Sequence, residues 1–249
     1  MPTIFWAGDS TVRQNSVATY PQTGIGQGMS RYLRPDVRME NHAENGRSTK
    51  SFLDEGRLEP IAERIMAGDF LFIQFGHNDE KAEDPTRYAD PETGFPENLE
   101  RFVNVARRKG AYPVIITPVT RYNRSAPSAK YRHDLWAASA RKTAEKLGVA
   151  LVDLTAMSEK LVDALGEQAR TRFYMNLPAG AFPNYPEGQA DNTHLQPEGA
   201  VAFAGLVARG LYELGGVYAA LLCGEYRDWL EHNDAAMHAL REQGRDERP

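Results

Sequence analysis

The chain contains little cysteine, no long hydrophobic run and no excess of basic residues. With a single cysteine, Cys223, it cannot form an intramolecular disulfide or assemble a thiolate metal site. No apolar segment approaches the roughly 18 residues that a membrane-spanning helix needs. The formal net charge is −5, and Lys and Arg do not cluster with aromatic residues, which argues against nucleic acid as a partner.

The length of 249 residues suits one large α/β domain with a sizeable core. The first apolar segment, residues 4–7, is too short for the core of a signal peptide. We therefore expect a soluble, cytoplasmic protein that has no membrane partner. No group of histidines and carboxylates outside the motifs described below has the spacing of metal ligands, so we expect no metal and no cofactor.

Apolar segments that suit buried strands alternate with segments that suit amphipathic helices. We predict strands at residues 3–7, 37–42, 70–75, 113–117 and 149–153, and helices at residues 53–66, 96–109, 128–147 and 196–214. Residues 171–192 are rich in Pro, Gly and Asn and predict a long irregular loop. This alternation predicts an α/β fold, a three-layer αβα sandwich whose five-stranded parallel sheet binds ligands at its carboxyl edge.

Ser10 follows the first predicted strand in a Gly-Asp-Ser sequence, residues 8–10. A hydroxyl just past the carboxyl end of a strand is well placed to act as a nucleophile, and Gly8 permits the sharp turn. Gly-Asp-Ser is also a common turn sequence, so this signal is weak alone. The Gly-x-Ser-x-Gly elbow of α/β-hydrolases is absent, which argues against that fold.

A base for such a nucleophile is present near the other end of the chain. Asp191 and His194 are three residues apart, so in a turn or a first helical turn the carboxylate could accept a hydrogen bond from Nδ1 of the imidazole. That contact would leave Nε2 free as a general base. The alternative role of Asp191 is to cap the helix that follows.

Two further segments could stabilise an oxyanion, because each follows a predicted strand and carries suitable donors. Asn78 has a side-chain amide with two N–H groups, and Gly46 would let a backbone N–H approach a reacting carbonyl closely. Either residue could instead have only a structural role in the turn where it lies.

These segments resemble the four motif blocks of the SGNH (GDSL) hydrolases, in that family's order: residues 8–10, Gly46, residues 76–79 and Asp191 with His194. The resemblance implies a flavodoxin-like SGNH fold. It also implies a catalytic triad of Ser10, Asp191 and His194, and an oxyanion hole formed by the Ser10 N–H, the Gly46 N–H and the Asn78 amide.

Residues 7–11, 46–48, 74–79 and 191–194, with 117–121 and 176–180, are similar to rhamnogalacturonan acetylesterases, and the resemblance covers about residues 3–215. It implies a serine esterase that removes O-acetyl groups from rhamnogalacturonan or pectin-derived oligosaccharides. The alternatives are a general short-chain esterase, lipase or thioesterase with the same triad, and a carbohydrate-binding protein without turnover.

Several residues near the predicted strand ends are candidates for substrate binding. Arg47, Arg121 and Arg124 could bind the carboxylates of a galacturonate chain, or could be solvated loop charges. Tyr122 and Tyr174 could stack on sugar rings, although loop aromatics often anchor a loop to the core. His77 could reach the pocket or be packed against the backbone.

The last part of the chain, residues 216–249, forms a predicted helical extension beyond the hydrolase domain of residues 1–215. Its apolar residues suggest an amphipathic helix ending in a charged tail; they are Val217, Leu221, Leu222, Trp229, Leu230, Met237 and Leu240. This helix either packs on its own domain or forms a homodimer contact.

Overall fold

Five segments of the chain, most of them apolar, form a central β-sheet in the computed structural model, which describes residues 1–122 and 134–231. The strands of this sheet are β1 (Thr3–Gly8), β2 (Arg38–Asn41), β3 (Phe70–Gln74), β4 (Tyr112–Ile116) and β5 (Ala150–Val152). Two more strands, β6 (Tyr174–Leu177) and β7 (Gln189–Leu195), form a separate antiparallel hairpin. The five predicted strands are all present, each within one or two residues of its expected ends.

The helices described are α1 (Ile25–Met29), α2 (Thr49–Asp54), α3 (Glu59–Arg64), α4 (Gly94–Arg108), α5 (Asp134–Leu147), α6 (Leu154–Leu165), α7 (Glu167–Phe173), α8 (Pro197–Leu214) and α9 (Gly216–Ala219). A short 3₁₀ turn spans Val17–Thr19, and residues 224–231 are helical. Within the described chain, no helix is both long and apolar enough to cross a bilayer.

The strand order is β2-β1-β3-β4-β5 and every pairing is parallel, which confirms the predicted fold class. Since all strands run the same way, their carboxyl ends lie along one edge of the sheet. β1 lies between β2 and β3: Phe5 is paired with Glu40 on one side and with Leu71 on the other. The segments that follow these three strands are therefore neighbours in space.

Alternate residues of each strand point to opposite faces of the sheet, and helices cover both faces. Ile4 and Trp6 of β1 contribute to a core with α1 and α8, whereas Phe5 and Ala7 contribute to a second core with α2, α3, α4 and α5. This burial on both sides explains why β1, β3 and β4 are almost continuously apolar, whereas the edge strand β2 is mostly polar and only partly buried.

The helices differ from their predicted bounds where local turns intervene. The predicted helix at residues 53–66 is wrong as one element, because the chain turns at Gly56 with a φ of +69° and divides it into α2 and α3. The helix predicted at 128–147 is described from Asp134 onward, and residues 128–133 lie outside the described residues. The helix α6 was not predicted, although Asp153 caps it by accepting from the Ala156 N–H.

The described part of the C-terminal extension contacts its own domain. Leu221 and Leu222 are buried, and Leu222 forms an antiparallel bridge with Leu33. Leu230 is also buried, while Trp229 is 56% exposed and its ring stacks on Tyr226. The remaining predicted positions, Met237 and Leu240, lie outside the described residues, so the domain division at residue 215 stays a prediction.

A tight helix crossing gives a test of this packing. A Cβ added at Gly28 of α1 would lie 2.5 Å from the Ala200 carbonyl oxygen of α8, which is closer than real contacts allow. Gly28→Ala should therefore lower the free energy of unfolding by about 1–3 kcal/mol, measured by urea denaturation. The matched control is Gly224→Ala, where nothing lies within 4 Å. Equal stability of the two variants would contradict the crossing.

Candidate active site

Ser10 lies in the turn that follows β1, at the carboxyl edge of the sheet. The turn is fixed because the Asp9 carbonyl accepts hydrogen bonds from the backbone N–H groups of Val12 (3.1 Å) and Arg13 (3.2 Å). Ser10 itself is half-buried. Its own backbone N–H has no acceptor among the described residues, so that donor is available to a bound group.

Asp191 and His194 lie on β7. The prediction of one long irregular loop at residues 171–192 is wrong, because this segment includes the end of α7, all of β6 and the start of β7. The hairpin is irregular, since Tyr174 is paired with Leu195 but Asn176 with Ala190. Two steps along β6 thus correspond to five along β7, which leaves room for a wide bulge. Both residues lie in this bulge rather than in a helical turn.

The bulge brings the imidazole of His194 to Ser10. Nε2 of His194 is 2.9 Å from Oγ of Ser10, and Nδ1 is 2.6 Å from Oδ2 of Asp191. The other carboxylate oxygen of Asp191 accepts from the backbone N–H groups of Thr193 (2.8 Å) and His194 (3.0 Å). The three side chains therefore form a continuous hydrogen-bonded chain. Asp191 does not cap α8, whose N-cap residue is Gln196.

The surroundings of Asp191 favour its charged form. Burial alone would raise the pKa of this carboxyl, but the hydrogen bond and charge of His194, with the two backbone N–H groups, lower the pKa to about 2. The carboxylate is thus ionised at neutral pH. An ionised Asp191 can hold the Nδ1–H tautomer of His194 and stabilise a positive imidazole.

The predicted oxyanion donors lie on the two loops that flank Ser10. Gly46 has a φ of +73°, a conformation that L side chains rarely adopt, and its N–H has no acceptor among the described residues. The Asn78 side chain is 5% exposed, and one of its amide N–H groups donates to the Arg47 carbonyl (3.1 Å). The second amide N–H remains for another acceptor.

Asp9 and His77 lie beneath this edge. Asp9 is fully buried, and its Oδ1 accepts from the backbone N–H (2.9 Å) and hydroxyl (2.7 Å) of Thr11. Its Oδ2 is 3.4 Å from Nδ1 of His77. Burial raises the pKa of Asp9, but the charge and hydrogen bond of His77 outweigh it, so the net shift is downward. His77 is only 3% exposed, so it supports the site from within rather than facing a substrate.

The predicted arginines are engaged in ion pairs near the site. Arg47 contacts Glu55 (2.9 Å), and Arg121 contacts Glu80 (2.9 Å) with its side chain 14% exposed. The side chain of Arg47, the residue that follows Gly46, is still partly exposed to solvent. Arg124 lies outside the described residues.

The two predicted tyrosines belong to the core, which corrects their proposed role in sugar stacking. Tyr174 is fully buried and its hydroxyl donates to the Thr120 carbonyl (2.8 Å). Tyr122 is 7% exposed and its hydroxyl is hydrogen-bonded to Glu167 (2.7 Å). Neither ring presents a face to solvent, because both pack at the base of the β7 bulge, where the Tyr122 N–H donates to the Asn192 carbonyl.

A cleft of about 540 Å³ opens beside Gly46. Its walls carry the cations Arg47, Lys50 and Arg87 and the anions Asp54 and Glu55. The Arg87 guanidinium also donates to Oδ1 of Asn78 (3.4 Å). Lys50 and Arg87 could not be found from the sequence, since neither lies in a motif and only the fold brings them beside Gly46.

Comparison with known proteins decides the family. A profile of the GDSL-like Lipase/Acylhydrolase family matches residues 7–202, a span that runs from Ala7 beside Ser10 to beyond His194. The chain belongs to this family. Membership of the GDSL-like acylhydrolases makes it a carboxylic ester hydrolase and confirms the predicted SGNH (GDSL) resemblance.

Curated GDSL relatives match most of the chain. Rhamnogalacturonan acetylesterase RhgT of Bacillus subtilis is 40% identical over 214 residues, which cover 85% of this chain and 90% of that protein. The rhamnogalacturonan acetylesterase of Emericella nidulans is 28% identical and covers 81% of each chain. These relatives confirm the predicted resemblance to rhamnogalacturonan acetylesterases.

Solved structures share the fold. The crystal structure of YxiM from Bacillus subtilis superposes with a TM-score of 0.72 at 25% identity, covering 86% of this chain and 57% of that one. Axe2, an acetylxylan esterase from Geobacillus stearothermophilus, gives a TM-score of 0.59 at 16% identity, covering 87% and 95%. These likenesses support the three-layer GDSL fold.

The lowered pKa of Asp191 predicts a pH-dependent contribution to stability. Because the pKa is lower in the folded state, the charged carboxylate stabilises the fold above pH 4, and this stabilisation is lost as the pH falls towards 2. Asp191→Asn should cost roughly 1–2 kcal/mol of unfolding free energy at pH 6, and the difference from wild type should vanish near pH 2. Urea denaturation at several pH values measures this, and a constant difference would contradict the assignment.

Proposed function

We propose that the protein is a serine esterase that removes O-acetyl groups from carbohydrate, with Ser10, His194 and Asp191 as its catalytic triad. The observation that carries the proposal is the hydrogen-bonded chain of Ser10 Oγ, His194 Nε2, His194 Nδ1 and Asp191 Oδ2. It supplies a nucleophile, a base within reach and a carboxylate that orients the base.

In this mechanism Oγ of Ser10 attacks the acetyl carbonyl carbon while Nε2 of His194 takes the hydroxyl proton. The tetrahedral intermediate then loses the sugar oxygen, which receives that proton from His194, and an acetyl-enzyme remains. His194 next takes a proton from water, the hydroxide attacks the acetyl group, and acetate leaves as Ser10 recovers its proton. Asp191 stabilises the imidazolium in both halves.

The negative oxygen of each intermediate requires donors that are already in place. We assign this task to the unoccupied N–H groups of Ser10 and Gly46 and to the second amide N–H of Asn78. Asn78 is held on both sides, by the Arg47 carbonyl and by Arg87, so its amide needs little rearrangement during the reaction.

The substrate proposal extends to acetylated oligosaccharides of the rhamnogalacturonan type. Support comes from the names of the curated relatives, which act on that polysaccharide, and from the charged cleft beside Gly46. Arg47, Lys50 and Arg87 offer donors suited to sugar hydroxyls and carboxylates. The second candidate, a lipase-like or thioesterase-like enzyme with the same triad, needs an apolar channel for its acyl chain, whereas the walls of this cleft carry five charged side chains.

The triad assignment predicts a loss of ester hydrolysis on removal of either reacting group. Ser10→Ala and His194→Ala should lower kcat for p-nitrophenyl acetate by roughly 10³-fold or more. The matched control is Ser30→Ala, since Ser30 is an exposed serine at the C-cap of α1, and it should retain wild-type kcat. Hydrolysis by Ser10→Ala at the wild-type rate would overturn the assignment.

The substrate assignment predicts a steep dependence on the acyl group and the sugar. Activity on p-nitrophenyl esters should fall sharply beyond acetyl, and acetate release should be fastest from acetylated pectin oligomers in a panel with xylan and chitin oligomers. Undiminished rates on long-chain esters would favour the lipase-like candidate. Absence of turnover together with no labelling of Ser10 by a serine-directed phosphonate would favour a binding protein.

A further inference from the structure

Asp79 is a fully buried carboxyl group that the proposed mechanism does not use. It follows Asn78 directly in the loop after β3. Its Oδ1 accepts hydrogen bonds from both the backbone N–H (2.8 Å) and the hydroxyl of Thr49, the first residue of α2. Thr49 lies three positions beyond Gly46, so Asp79 joins the loop of Asn78 to the loop of Gly46.

A second contact joins the same two loops. The Asn78 amide donates to the Arg47 carbonyl, and the Asn98 amide of α4 holds the Thr49 hydroxyl from the other side (3.1 Å). The separation between the Gly46 N–H and the Asn78 amide is therefore set by bonds that converge on Asp79 and Thr49. Both donors belong to the proposed oxyanion hole.

The carboxylate is costly to keep in this place. Burial, together with the negative charge of Asp9, raises the pKa of Asp79 to about 7, although the hydrogen bonds from Thr49 lower it in part. Its Oδ2 has no hydrogen-bond partner among the described residues. A neutral amide could accept the same bonds without a buried charge, so stability alone does not account for an aspartate here. Once ionised, above about pH 7, the carboxylate makes charge-assisted hydrogen bonds, which are shorter and stronger and hence hold the loops more rigidly.

We propose that Asp79 is a positioning residue that fixes the two loops of the oxyanion hole relative to each other. The inference rests on the proposed esterase function. It assigns to Asp79 an effect on the transition states, because the oxyanion develops there and in the tetrahedral intermediates but is absent from the bound substrate, and little effect on ground-state binding.

The test compares Asp79 with a buried aspartate at the opposite edge of the sheet. Asp69 is 5% exposed and accepts from the backbone N–H groups of Thr3 (2.8 Å) and Met66 (2.9 Å), so it also ties two segments together. The variants are Asp79→Ala, Asp79→Asn, Asp69→Ala and Asp69→Asn. Each is measured for Tm and for kcat and KM on p-nitrophenyl acetate, normalised to active sites counted with a serine-directed phosphonate.

We expect Asp79→Ala to lower kcat and kcat/KM together by about 10- to 100-fold with KM nearly unchanged. Asp79→Asn, which keeps a weaker, neutral acceptor for Thr49, should recover only part of the loss and leave kcat about three- to ten-fold below wild type, so it tests the role even if the alanine variant does not fold. The Asp69 variants should lower Tm but keep kcat within about two-fold.

The inference is overturned if both Asp79 variants keep wild-type kcat, or if the Asp69 variants lose kcat by the same factor. Its failure is distinguishable from failure of the esterase proposal. A Ser10→Ala variant without activity beside a fully active Asp79→Ala variant rejects only the positioning role, whereas an active Ser10→Ala variant rejects the triad itself.

Discussion

The contact between Ser10 and His194 joins residues that are 184 positions apart, and the rest of the site depends on it. The parallel sheet fixes one partner, because β1 lies between β2 and β3 and ends directly before the Ser10 turn. The β6–β7 hairpin fixes the other. A regular hairpin would alternate side chains strictly between its faces, so Asp191 and His194 could contact each other and Ser10 only through the bulge in β7. In the proposed mechanism, the bulge is therefore what allows the hairpin to supply the base.

The two edges of the sheet differ in how they use buried charge. At the carboxyl edge, Asp9, His77 and Asp79 lie within the loops that carry the reacting groups, and each is almost completely buried. Burying ionisable groups so close together costs stability, which is typical of sites that need fixed dipoles before a reaction begins. At the amino edge, Asp69 joins β1 to the segment before β3 by accepting hydrogen bonds from two backbone N–H groups. This link does not require a second buried carboxylate.

Much of this arrangement could be predicted from the sequence because it depends on local patterns. Apolar runs of five or six residues gave the strands, and their alternation with helices gave the parallel sheet, so Ser10, Gly46 and Asn78 were placed at one edge. The hairpin could not be predicted this way, since β7 is polar along most of its length and is stabilised by its pairing with β6. The burial of Tyr174 follows from the same hairpin. Arg87 and Lys50 were missed because their position depends on how α2 and the loop after β3 meet.

The most direct test is a crystal structure of the enzyme after reaction with a serine-directed phosphonate, whose tetrahedral phosphorus mimics the proposed intermediate. We predict a covalent bond to Oγ of Ser10, with one phosphonyl oxygen about 2.7–3.1 Å from the Ser10 N–H, the Gly46 N–H and the Asn78 amide nitrogen. An adduct on another residue, or one on Ser10 whose phosphonyl oxygen points away from these three donors, would contradict the account.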